Sequence, residues 1–290
     1  MIPLTMISFV ALGIEVFFTP LVSVDVIVKQ IESAQHTISL CTFTIDEPEI
    51  VMALENAVRR GVKVRVISES PLINSQIPAK IDAESSLFHM KVIVMDEKVL
   101  LLGSANFTVH SLFQSFNDFL ILEDSDIASA FQYFFDDLWE GRSTGLTLNH
   151  PKIFITNLFI ADTVLKELSK AKKTLDVAMY ALTHPQVWAT IKILSSRGVR
   201  VRVLIDEWFF RNSDLSKLPF GGMDLRVIKD FTLHSKLFII DRQAVLTGSA
   251  NATKSGYTSN AEMLVVIKDK NITRQYNEYF ERLWMEGEIP

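Results

Sequence analysis

The chain has a single cysteine, Cys41, so it can form neither an intrachain disulfide nor a thiolate metal cluster. Its place after Ile38-Ser39-Leu40 marks it as a small buried hydrophobe. Basic residues are not in excess: 29 Lys and Arg stand against 34 Asp and Glu, for a net charge of −5 and a pI of about 5.7. A protein that works by non-specific attraction to phosphate is usually basic overall, so any polyanionic substrate must be held by a local basic site. The chain has no low-complexity tract and no acidic tail, and beyond residue 13 no run reads as transmembrane. Residues 1–13 are apolar and uncharged, too short to span a bilayer, and lack the basic residues that precede a secretory apolar segment. With the small-x-small triplet Ala11-Leu12-Gly13, they read either as an export signal or as a first strand. What remains is 290 residues of globular composition, enough for one large core or two ordinary domains.

What the chain does have is a repeat. His89-Met90-Lys91, then Asp96, then Gly103-Ser104-Ala105-Asn106 are answered at identical spacings by His234-Ser235-Lys236, Asp241 and Gly248-Ser249-Ala250-Asn251. The two histidines are 145 positions apart, and so are the two glycines. The duplication reaches further. Glu15-Val16-Phe17-Phe18-Thr19 matches Lys152-Ile153-Phe154-Ile155-Thr156, Arg60-Gly61-Val62-Lys63-Val64 matches Arg197-Gly198-Val199-Arg200-Val201, and Leu138-Trp139 matches Leu283-Trp284. The offset is 137 at Gly61 and Gly198 but 145 at the histidines, so the second half carries eight extra residues, around 208–222. A period this long means duplicated domains and not a solenoid. The turn-rich stretch 140–151 joins them, dividing the chain into residues 1–147 and 148–290.

Each half alternates strand and helix, which predicts an α/β layered sheet. In the first half, strands are expected over 15–18, 37–44 and 62–67, and an amphipathic helix over 24–34. A second helix is expected over 47–60, capped by Asp46, with Pro48 in its first turn and Gly61 past its end. Closing helices are expected near 127–139 and 272–284.

Residues 88–95 and 99–103 read as a hairpin. A two-residue loop, Glu97-Lys98, would set Lys91 opposite Ser104 and His89 opposite Asn106, all on one face. The second copy gives the same pairing, Lys236 with Ser249 and His234 with Asn251. An odd loop would break this parity. The expected face offers an imidazole, an ammonium, a hydroxyl and a carboxamide, a set suited to phosphate oxygens. Gly103 and Gly248 leave space for close backbone approach. Asp96 and Asp241 fall on the opposite face and read as structural. Asp118 and Glu262, 12 and 11 residues past the two asparagines, read as the carboxylates that orient the imidazoles.

His-x-Lys-x4-Asp followed by Gly-Ser-x-Asn, twice in one chain, resembles the phospholipase D superfamily. The first half departs in having Phe116-Asn117-Asp118 where the second has Asn260-Ala261-Glu262, with a spacing longer by one. The resemblance implies two α/β/α sandwich halves with mixed sheets, related by a pseudo-twofold axis, with one active site at their interface. It implies a covalent mechanism: His89 attacks phosphorus, His234 protonates the leaving oxygen, and water or an alcohol releases the second product. Lys91, Lys236, Ser104, Asn106, Ser249 and Asn251 would stabilise the phosphoryl oxygens. A lysine beside each histidine is a poor neighbour for a cation, so neither metal nor cofactor is expected. One chain would suffice for a complete site, without a protein partner.

Other features have plainer readings. His36, His110, His150 and His184 are not repeated and read as solvated or loop residues, although His184 is placed where it could rim the cleft. Arg59, Arg60, Lys63 and Arg65, with their counterparts, read as a solvated sheet edge or helix end more than a nucleic-acid stripe. Trp208-Phe209-Phe210-Arg211 reads equally as a plug packing on its own domain or as an aromatic contact for bases or lipid. Compact size favours a nucleic-acid phosphodiester (DNA or RNA) as substrate. The low pI and the aromatic insertion favour the alternative, a phospholipid such as cardiolipin or phosphatidylglycerol, with peripheral membrane contact. A dead site used only for binding is opposed by two complete motifs.

Overall fold

Two mixed β-sheets, one per half, face each other across a shared core. The computed structural model describes residues 13–22, 24–72, 76–142, 144–214 and 220–290. Nearly all of the apolar N-terminal segment (1–12) and part of the second-half insertion (215–219) lie outside the described residues.

The first half runs β1 (Gly13–Thr19), α1 (Asp25–Ser33), β2 (Thr37–Thr42), α2 (Pro48–Arg59), β3 (Lys63–Ser68), β4 (Ala79–Ile81), β5 (Val92–Met95), β6 (Val99–Gly103), α3 (Val109–Phe113), β7 (Ser115–Glu123) and α4 (Ser125–Trp139). Its sheet order is β1-β7-β6-β5-β2-β3-β4. The second half runs β8 (Thr147–His150), β9 (Ile153–Thr156), α5 (Ile160–Leu168), β10 (Thr174–Met179), α6 (Pro185–Ser196), β11 (Arg200–Asp206), α7 (Glu207–Asn212), β12 (Met223–Ile228), β13 (Thr232–Leu233), β14 (Lys236–Ile240), β15 (Ala244–Gly248), α8 (Lys254–Thr258), β16 (Leu264–Ile267) and α9 (Lys270–Glu286). Its order, β12-β11-β10-β14-β15-β16-β9-β8, is the first half's order read in reverse with one strand added.

Strands β5 and β14 are buried at every position because both sheet faces are covered, so they read as continuous apolar runs. The outer face of each sheet packs on its own helices. Ile27, Ile31, Ile50 and Leu54 seal the first half, and Val164, Leu168, Val187 and Ile191 the second. The inner faces share one core, with Val92, Leu100 and Phe131 from one half and Leu237, Ile239, Tyr276 and Phe280 from the other. The closing helices α4 and α9 therefore contribute to the shared core between the sheets. Among the described residues no helix is long and apolar enough to cross a membrane.

Three expectations need correction. Helix α2 is capped by Glu47, with Pro48 at its first position, while Asp46 accepts the Val109 amide instead (2.9 Å). The hairpin loop is odd: Met95 pairs with Val99 and Ile240 with Ala244, so three residues turn and Lys91 falls one position short of Ser104. The tight turn is made by consecutive left-handed residues, Asp96 and Glu97 (φ 51° and 54°) and Asp241 and Arg242 (φ 51° and 58°). Arg65 and Arg202 are not solvated. Arg202 is bidentate to Asp176 (2.7 and 2.9 Å) and to Glu281 (2.9 Å each), lying over the rings of Phe280 and Trp284. Arg65 lies over Phe135 and Trp139. The duplicated tryptophans close this packing, Trp139 stacked on Phe135 and Trp284 on Phe280.

Candidate active site

Each histidine is delivered by a short strand that crosses to the other half. Strand β5 begins only at Val92; ahead of it Phe88 bridges Ala261, and the His89 amide donates to the Ala261 carbonyl (2.9 Å). Strand β13 runs parallel to β7 with Leu233 opposite Phe116, and the His234 amide donates to the Phe116 carbonyl (3.0 Å). These crossings converge the two imidazoles: their ring centroids are 6.4 Å apart.

The lysines are buried beside them, Lys91 at 1% exposure and Lys236 at 3%. Their ammoniums donate to the carbonyls of His89 (2.6 Å) and His234, two residues back on the same chain. Burial pushes Lys91 down to about 7, against the pull of Glu262, and pushes Lys236 well below the usual lysine range, with repulsion from Lys91 adding to it. Burial and the adjacent lysines also lower both histidines, His234 further than His89. Four basic groups crowded into one buried site are poised for an anion, whose charge would offset their mutual repulsion.

Asn106 and Asn251 flank this cluster in sequence and keep Oδ1 atoms that are buried without a hydrogen-bond partner. The serines do not fill the expected role. Ser104 and Ser249 are fully buried; Ser104 Oγ lies against Asn117 Oδ1 (3.2 Å) and Asp118 Oδ1 (3.1 Å), and Ser249 Oγ donates to Glu262. Both hydroxyls also accept a backbone amide, from Asp118 (3.0 Å) and Met263 (2.9 Å). They fix the residues behind the histidines instead of facing a phosphate. The glycines ahead of them serve the same packing. A Cβ on Gly103 would lie 2.2 Å from the Asp118 carbonyl oxygen, and one on Gly248 2.2 Å from that of Met263.

Glu262 orients His89, with Nδ1 at 2.9 and 3.0 Å from its two oxygens. The partner of His234 is a different residue from the one expected: Nδ1 lies 2.8 Å from Asn117 Oδ1. Asp118 points instead into the interface, where it accepts from Thr247 Oγ1 and Tyr276 Oη (2.7 Å each) and ties the halves together. The sheet register explains the exchange. Gly103 pairs with Phe119 and Gly248 with Leu264, so Asn117 is equivalent to Glu262 and no residue is inserted. Positions 117 and 262 are separated by 145, the offset of the histidines, so the repeat itself pairs Asn117 with Glu262.

Asp96 and Asp241 hold the hairpins. Asp96 accepts the amides of Gln35, His36 and Thr37 (2.7–2.8 Å), and Asp241 those of Lys172, Lys173 and Thr174 (2.7–2.9 Å). His184, expected as a solvated or loop residue, is the N-cap residue of α6 and is buried against Tyr257, without a capping hydrogen bond from its side chain. Further residues were legible only through the 137-residue offset. Phe43 and Tyr180 each pack a ring against the histidine of their own half (5.5 Å), and Glu69 and Asp206 accept the amides of Phe88 (2.6 Å) and Leu233 (3.1 Å) just before those histidines. In the insertion, Phe209, Phe210 and Phe220 pack on the second-half core, while Trp208 stays 63% exposed.

Two histidine–lysine pairs meet from duplicated halves in one buried basic cluster. A family model described as "Cardiolipin synthase, PLD-like domain" matches residues 27–139 and 164–284, once in each half. The chain belongs to this family of the phospholipase D superfamily. It is 32% identical over 126 residues to mitochondrial cardiolipin hydrolase of Mus musculus, covering 42% of this chain and 57% of that protein. It is 32% identical over 116 residues to phospholipase D of Rickettsia prowazekii (strain Madrid E), covering 36% and 57%. The chain thus spans about half the length of the curated relatives it matches. Phosphatidylserine synthase of Haemophilus influenzae Rd KW20 superposes with a TM-score of 0.69 at 12% identity, covering 92% of this chain and 84% of that one. Polyphosphate kinase of Porphyromonas gingivalis gives the same TM-score at 15% identity, covering 94% and 50%. At these identities the two structures establish the fold alone.

Proposed function

We propose that the chain is a phosphodiesterase that cleaves phospholipids through a phosphohistidine. The observation that carries the chemistry is the approach of His89 and His234 to 6.4 Å between ring centroids, with a buried lysine beside each. Glu262 behind His89 favours that ring as nucleophile, because its carboxylate offsets the positive charge that develops when Nε2 bonds phosphorus. As the His89 Nε2–P bond forms, the P–O bond to the leaving group breaks and the proton on His234 Nε2 passes to the departing oxygen. Water then attacks phosphorus, gives a proton back to His234, and the N–P bond breaks, returning the electron pair to His89. Lys91, Lys236, Asn106 and Asn251 would balance the charge on the non-bridging oxygens.

Three observations support a lipid over a nucleic acid. The curated relatives carry lipid-acting names. A cavity of about 450 Å³ adjoins the His234 side of the site, lined in part by Tyr180, Asp206, Glu207, Trp208, Asp230 and Phe231. Its one lysine, Lys229, is paired with Glu288, and its Glu207 with Arg211, so this wall offers no unpaired lysine to a polymer carrying a phosphate at every residue. Leu87, two residues before His89, and Trp208 and Phe231 on that cavity present exposed apolar surface of the sort that enters a lipid interface. Side-by-side assay of phospholipid vesicles (cardiolipin, phosphatidylglycerol, phosphatidylethanolamine) against single-stranded DNA and RNA tests the reading. Headgroup or phosphatidate release from vesicles, with no cleavage of either polymer, is expected. Efficient cleavage of DNA or RNA with intact vesicles would transfer the assignment to a nuclease.

A further inference from the structure

The two halves supply different groups behind their histidines. We propose that Asn117 is a positioning residue that makes His234 the proton donor and leaves His89 as the nucleophile, by holding the His234 imidazole with an uncharged amide where the other half supplies a carboxylate. This inference rests on the two-histidine mechanism proposed above.

The amide's orientation follows from its neighbours. Asn117 Nδ2 donates to the Ser111 carbonyl oxygen (3.0 Å) and approaches Ser111 Oγ (3.2 Å). A carbonyl can only accept, so the atom facing Ser111 is the NH2 and the atom facing His234 is Oδ1. His234 Nδ1 must therefore carry the proton of the 2.8 Å contact, which leaves Nε2 as the atom that gains and loses a proton in the cleft. The residue is held in place, because Asn117 is fully buried, its backbone N–H donates to Thr19 Oγ1 (3.1 Å) and its backbone carbonyl accepts from Tyr279 Oη (3.3 Å). Ser111 belongs to the same device. Its counterpart at the 145-residue offset is Gly256, which has no side chain to hold an amide, and there the orienting residue is Glu262.

The charges facing each ring complete the asymmetry. His234 meets Lys236 two residues on, Lys91 and His89 across the cleft, the Ser104 backbone, and the ring of Tyr180, which follows β10. The buried carboxyl of Asp118, next to Asn117, faces Thr247 and Tyr276 and not the imidazole. His89 meets Lys91 and Lys236 as well, but has Glu262 at hydrogen-bond distance. An imidazolium at 234 therefore lacks the counter-charge available at 89, and gives up its proton more readily.

The test is Asn117→Asp, with Asn117→Glu as the second variant should the carboxylate of the first clash with the Ser111 carbonyl. Imidazole titrations are followed by histidine nitrogen NMR in the resting protein, and the kcat/KM–pH profile with bis(p-nitrophenyl) phosphate. His234 is expected to titrate at least about one pH unit higher in the variant, and the alkaline limb of the profile to move up with it. In the exchanged pair Asn117→Asp/Glu262→Asn, the phosphohistidine is expected to move from residue 89 to residue 234. The proposal is overturned if His234 titrates at the same pH in the variant as in the wild type, or if the exchanged pair still phosphorylates His89. If no form of the protein turned over any diester, the mechanism would fail, while the NMR titration would still decide what Asn117 does to His234.

Discussion

Replacing His89 by asparagine is expected to lower kcat/KM on the order of 10⁵-fold and to abolish the phosphoenzyme, because His234, held by an uncharged amide, serves as the acid and does not form the N–P bond in its place. His234→Asn should behave differently. With an alkyl leaving group it should lose about 10²–10⁴-fold, the usual contribution of a positioned acid. With p-nitrophenolate, which departs without a proton, the loss in the first step should shrink. The second step still needs His234 to take a proton from water, so the phosphoenzyme should accumulate. Rapid quench into alkali, which preserves phosphohistidine, followed by peptide mass analysis reads both results. A phosphoenzyme persisting in His89→Asn, or equal loss on both substrate types in His234→Asn, would contradict the assignment of roles.

The second large effect is on stability and runs against activity. Lys91 is buried beside three other basic groups, and its ammonium is held down to about 7 from an ordinary value near 10.5. Between those two values the unfolded chain binds a proton that the folded chain does not, so stability should rise with pH across that window. Below about 7 both states are protonated and the penalty is present in full. Lys236, displaced in the same direction, acts with the same sign. Lys91→Met keeps the aliphatic volume and removes the charge. It should stabilise the protein at pH 7 to 8 by about 1–2 kcal/mol and flatten the dependence on pH, while reducing kcat about 10²–10³-fold. Thermal unfolding of both proteins from pH 6 to 10 measures this. A less stable variant, or a wild-type Tm that does not rise between pH 7 and 10, would show that the ammonium is not under strain. The site thus gives up stability to keep positive charge where a phosphodiester would bind.

How far the sequence could be read depended on whether the signal was local or arose from pairing. Local punctuation placed α2 between Pro48 and Gly61, and apolar runs placed β5 and β6, because those choices depend on neighbouring residues. The duplication exposed both histidine–lysine pairs at a glance. Loop parity was not legible: the left-handed pairs Asp96-Glu97 and Asp241-Arg242 add one residue to each turn, which only backbone geometry decides. Strand β7 is defined by its partners, and the pairing of Gly103 with Phe119 makes Asn117 the counterpart of Glu262. Matching acid to acid chose Asp118 by chemical type, whereas the sheet chooses by register. The burial of Ser104 and Ser249 was hidden for the same reason, since the strand that covers them is β7 in one half and the run into β16 in the other.

A crystal structure with orthovanadate bound would test the convergence of the two halves most directly. One vanadate is expected, its vanadium between His89 Nε2 and His234 Nε2, with the ammoniums of Lys91 and Lys236 and the amides of Asn106 and Asn251 around its equatorial oxygens. Two separate anions, one per histidine, or a single anion contacting only one imidazole, would contradict it.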